Sequence, residues 1–159
     1  MAEVAAEVEC VGMYKHILMP VDLDEPSTWK QAMAIVEAMA QCFSARITIC
    51  TVATTEEALE TGEIWPISYQ DKLADKHAEL DSIAAQFTGK ARPGVEVGIG
   101  RIPSGIVDIA ERIGADLIAL SSHQHELADF LVSSKAARVS SIARCSVLVI
   151  RSSTDKPGS

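Results

Sequence analysis

An apolar run, Leu117 to Leu120, gives way to the stretch SSHQHELADFLVSSKAARVSS, Ser121 to Ser141, which ends in a helical pattern. A strand–loop–helix junction of this kind could hold an anion, because a helix N-terminus presents unpaired N–H groups and the positive end of its dipole. Ser133 and Ser134 would offer hydroxyl and backbone donors there, and Lys135 a positive charge. The stretch nevertheless contains no glycine. Phosphate loops generally use glycine, since a Cβ keeps backbone N–H groups away from the anion. Asp22 is a second polar position of interest, stopping the apolar run of YKHILMPVD at a place where an aspartate also caps turns well.

Other reactive side chains point to little chemistry. His123 and His125, with Glu126 beside them, form an i, i+2 pair with no further ligand in reach of the pattern, so they read as polar surface and no metal is expected. Cys10, Cys42, Cys50 and Cys145 include no C-x-x-C pair and read as reduced, partly buried thiols. His77 is placed on the apolar stripe of a helix as a satisfied boundary histidine, and Trp29 and Trp65 as packing residues. No nucleophile–base pair is visible, so at most slow, incidental chemistry is expected.

The elements that must position Asp22 and the Ser121–Lys135 stretch follow from hydrophobic patterning. Apolar runs at Ile17–Val21, Ile47–Val52, Leu117–Leu120 and Val147–Ile150 read as buried strands, and VEVGIG as a strand with one face less buried. Between the first two strands, Ala32, Ile35, Val36, Met39 and Phe43 recur at helical spacing, with Ser27 or Thr28 available as N-cap. Leu73, Leu80, Ile83, Ala84 and Phe87 mark a second helix, and Pro103 and Gly114 bracket a third. A short fourth helix begins near Ser134 with Ala136, Val139 and Ala143 as its apolar positions. TTEEALETGEIWPISY, with a possible capping box at Thr54 and Glu57, reads as a long connection able to fold over a site. Five strands alternating with four helices imply one doubly wound α/β domain, a parallel sheet with helices on both faces. Ligands of that class bind outside the carboxyl ends of the strands, where strand order reverses, so Asp22 and the Ser121–Ser134 loop would meet if their strands are neighbours.

Composition narrows the partners. The formal charge of -8 and the absence of a Lys/Arg stripe argue against nucleic acid, and few aromatics leave little to stack on bases. No segment approaches the ~20 apolar residues of a membrane span, and MAEVAAEVECVG lacks the features of a secretory signal, so a cytoplasmic protein is expected. Residues 1–12 read as a loosely ordered N-terminal extension and 153–159 as a C-terminal tail.

Three blocks, KHILMPVD, GRIPSGIVDIAERIGADLIALSSH and SSKAARVSSIARCSVLVIR, resemble the universal stress protein family in content and in order, over roughly Met13 to Arg151. The resemblance implies a universal stress protein domain over 13–152, a five-stranded sheet in the order 3-2-1-4-5, a homodimer, and in one large subgroup ATP bound between the first and fourth strands. It further implies nucleotide contacts from Pro20, Val21 and Val52, with Asp22 bonding the adenine. Ser121, Ser122, His123 and Gln124 on one side of the loop, and Ser133, Ser134 and Lys135 on the other, would approach the phosphates. Where the ATP-binding subgroup has G-x-x-G, nine residues and G-[ST], this chain has Ser121-x-x-Gln124, eight residues and Ser133-Ser134. The electrostatics of a phosphate site thus survive without its glycines.

The expected function is that of a stress-response regulator binding ATP or another adenine nucleotide weakly at the β1/β4 crevice. The alternative is a nucleotide-free dimeric interaction protein that regulates a transporter, kinase or enzyme. Val147, Leu148, Val149 and Ile150, an unbroken apolar run on what the resemblance makes an edge strand, are expected to form the dimer contact.

Overall fold

The computed structural model describes residues 12–55, 67–122 and 135–151. The chain runs β1 (His16–Pro20), α1 (Pro26–Phe43), β2 (Arg46–Ala53), α2 (Ile67–Ala84), β3 (Gly94–Ile99), α3 (Ile102–Ile113), β4 (Leu117–Ser122), α4 (Lys135–Ile142) and β5 (Ser146–Arg151). The strands form one parallel sheet in the order β3-β2-β1-β4-β5, the expected architecture, with β3 and β5 at its edges.

Period-two alternation divides the core between the two faces of the sheet. Ile17, Met19, Ile49, Leu117 and Ala119 pack against Trp29, Ala32 and Val36 of α1 and Leu80 and Ile83 of α2. Leu18, Cys50, Val52, Ile118 and Leu120 face the other way, onto Ile106, Ile109 and Ala110 of α3 and Val139 of α4. The central strands are buried on both faces, which is why they read as continuous apolar runs rather than as alternations.

Helix ends follow local chemistry, with some departures from expectation. Pro26 opens α1, its fixed φ suited to a first helical position where no intrahelical N–H bond is required. Glu25 is the N-cap residue, rather than Ser27 or Thr28, and Thr28 instead donates its hydroxyl to the Glu25 carbonyl at 2.7 Å. The buried stripe of α1 runs through Thr28, Trp29, Ala32, Val36 and Ala40, which turns Ile35 outward to 40% exposure. Gly114 closes α3 in the left-handed conformation at φ 70°, as its position after the helix requires. His77 does not lie on the apolar stripe of α2: its side chain is 53% exposed and its Nδ1 lies 3.1 Å from Asp81 Oδ2 one turn on. Trp29 packs in the core, whereas Trp65 and Glu57 lie outside the described residues. Among the described residues no helix is long and apolar enough to cross a membrane.

The N-terminal end of β1 carries a polar knot. Asp116, just before β4, accepts the backbone N–H of Lys15 at 2.8 Å and of His16 at 3.0 Å, tying β4 to the start of β1. Burial pushes the Asp116 carboxyl pKa up, but these donors outweigh it and hold the group below the ordinary aspartate value. His16 is buried, and its Nε2 lies 2.7 Å from Thr48 Oγ1. Burial, followed by the charge of Arg46, lowers the His16 pKa, while the Ile113 carbonyl and Asp116 oppose this less strongly. The unfolded chain therefore takes up a proton near pH 6.5 that folded His16 resists. Stability should be full above that pH and decline as pH falls below it, with a further decline below about pH 4 as Asp116 is protonated. Urea denaturation across pH 3–8 should show both steps and a His16→Gln variant only the lower one. An unchanged profile in the variant would contradict the assignment.

Candidate functional site

The sheet opens where strand order reverses. Pairing between β1 and β4 is confined to Ile17↔Leu117 and Leu18↔Ile118, whereas β1 stays paired to β2 as far as Pro20↔Cys50. Pro20 has no N–H with which to extend a ladder. The next amide, Val21, donates to the Cys50 carbonyl at 2.7 Å, carrying the chain toward β2 and away from β4. A crevice of about 510 Å³ results at the carboxyl ends of the strands.

Its floor and walls are apolar: Val21, Val52, Ile106 and Leu120 line it, together with Cys50, whose buried thiol is pushed far above its ordinary pKa and stays protonated. Its mouth is charged. The Asp22 carboxylate accepts the Asp24 N–H at 3.1 Å, a turn that fixes the side chain at the strand end. Its other oxygen lies 3.6 Å from Nζ of Lys135, the first residue of α4, so residues from opposite ends of the chain form one ion pair across the opening. Both partners are about half exposed. Such a pair is worth no more than about 1 kcal/mol and can be exchanged for ligand contacts at little cost.

Of the residues singled out in the sequence, Pro20, Val21, Asp22, Val52, Ser121, Ser122 and Lys135 all line this crevice. His123, Gln124, Ser133 and Ser134 lie outside the described residues. Sequence reading missed Thr28, Thr51, Lys76 and Ile106, which also line it. Thr51 could have been noticed as a polar residue inside the apolar run of β2, but nothing in the patterns of α1 and α2 marks Thr28 or Lys76 as crevice residues.

The width of the crevice depends on a glycine. A Cβ at Gly105 of α3 would lie 2.8 Å from Cγ1 and 3.0 Å from Cγ2 of Val52, so only glycine lets α3 sit this close to β2. Alanine would add helix propensity worth about 1 kcal/mol but force an overpacked contact costing about 1–3 kcal/mol. Gly105→Ala should therefore lower stability by about 1 kcal/mol in chemical denaturation, and should instead raise it in a Val52→Ala background. Additive effects would show that the two residues do not press on each other.

A doubly wound sheet with an open switch point defines a class of ligand-binding α/β domains. The family model described as "Universal stress protein family" matches residues 13–151, and the chain belongs to that family. It is 27% identical over 143 residues to Universal stress protein G of Escherichia coli O157:H7, covering 87% of this chain and all of that one. Among solved structures, a universal stress protein in complex with cAMP superposes with a TM-score of 0.58 at 19% identity, covering 88% of this chain and 98% of the other. A family protein from Arabidopsis thaliana with AMP bound superposes with a TM-score of 0.59 at 13% identity, covering 91% and 96%.

Proposed function

We propose that this chain is a cytoplasmic stress-response regulator that binds an adenine nucleotide weakly in the β1/β4 crevice. The observation that carries the reading is the meeting of Asp22 and Lys135 above an apolar slot: a carboxylate suited to the adenine amine, an ammonium suited to phosphate, and Val21, Val52 and Leu120 to take the ring. The adenine nucleotides held by relatives of the same fold support it. Ser121, Ser122, His123 and Gln124, with Ser133 and Ser134, complete the proposed contacts. Side chains in place of all three glycines crowd the phosphates, which sets affinity in the micromolar range or weaker. The nucleotide-free alternative draws support from the same substitutions.

Calorimetric titration with adenine nucleotides decides between them. Binding that weakens about tenfold or more in Asp22→Ala is the expected result; silence at millimolar nucleotide would overturn the proposal in favour of the nucleotide-free reading.

The proposal includes a homodimer through β5, where Val147, Leu148 and Val149 are only half buried on a sheet edge. Ile150 is 5% exposed, so a charge there would unfold the domain as well as break a dimer. Val149→Lys is the cleaner probe. Sedimentation should show a dimer at micromolar concentration and a monomer for the variant, and a wild-type monomer would remove the dimer from the account.

A further inference from the structure

The charges around the crevice define which adenine nucleotide it takes. Five charged side chains among the described residues line it: Asp22, Asp24, Glu25, Lys76 and Lys135. Carboxylates outnumber ammonium groups, an unusual balance for a polyphosphate site, where several cations or backbone N–H groups normally face the ligand. Lys135 is moreover already engaged by Asp22 at 3.6 Å.

Resting on the nucleotide reading above, we infer that the Asp22–Lys135 pair acts as a partner exchange that selects an adenine nucleotide with a single phosphate over both ATP and adenosine. When the adenine amine takes the Asp22 carboxylate, Lys135 loses its partner and is released at the start of α4 to meet one phosphate. Adenosine takes Asp22 but leaves that ammonium without an anion. AMP restores the lost ion pair with its own phosphate, which carries a charge of about -1.5 to -2 at neutral pH. ATP places further negative charge in a mouth that already holds Asp24 and Glu25. Both carboxylates are exposed, so screening keeps their effect modest. A preference of about fivefold at physiological salt corresponds to the repulsion of one or two such charges, and it should grow at low salt.

Parallel calorimetric titrations with adenosine, AMP and ATP, without divalent metal, test the inference on the intact protein and on Lys135→Ala, whose folding is checked by circular dichroism. Lys135 is more than half exposed, so the substitution leaves the core untouched. AMP should bind at least about fivefold tighter than either competitor, and Lys135→Ala should erase its advantage over adenosine while leaving adenosine bound at least as well as before. A second variant, Asp24→Asn with Glu25→Gln, should narrow the gap between AMP and ATP. ATP binding as tightly as AMP, or an AMP-to-adenosine ratio unmoved by Lys135→Ala, would overturn the exchange while leaving the nucleotide site standing. Silence from all three ligands at millimolar concentration would overturn both.

Discussion

The short pairing between β1 and β4 governs the rest of the molecule. A parallel sheet wound outward in both directions from its centre must separate the two chain paths that leave its innermost strands, because one continues to a helix on one face and the other to a helix on the opposite face. Here the separation begins after Leu18↔Ile118 and is completed by Pro20, which offers no N–H to either neighbour. Asp22 and Lys135 face each other across the opening that the divergence leaves. The crevice is a product of topology first and of side chains second.

The packing on either side keeps it open. Gly105 lets α3 lie against Val52 on one wall, and Trp29, Ala32 and Val36 hold α1 against the opposite face of the sheet. At the far end, Asp116 fastens β4 to β1 through two backbone N–H groups and so fixes the strand pair whose other end must part. Stability and function are thus segregated along one strand pair, with the hydrogen-bonded knot at its N-terminal end and the exchangeable, solvent-screened ion pair at its C-terminal end.

Much of this was legible in the sequence because doubly buried strands leave a strong signature. Ile17–Val21, Ile47–Val52 and Leu117–Leu120 could be placed without structural information, as could α3 between Pro103 and Gly114. Strand order was not legible from periodicity and came from resemblance, since parallel strands carry no local mark of their neighbours. The errors have local causes. Ile35 sits one step off the α1 stripe, where helical spacing alone cannot distinguish the flank from the centre. The buried apolar positions of the second half of α2 are Leu80, Ile83 and Ala84, and His77 falls outside that stripe, paired to Asp81 at the surface. The Asp22–Lys135 contact required coordinates, because neither residue's neighbours announce the other.

Amide chemical shifts recorded during addition of AMP to isotopically labelled protein test the central claim most directly, since they locate a ligand even when it binds weakly. The account predicts that shifts concentrate at Val21, Asp22, Thr51, Val52, Ser121, Ser122 and Lys135, with His16 and Asp116 at the other end of the sheet unmoved. Perturbations clustered away from the β1/β4 opening, or absent at millimolar AMP, would contradict it.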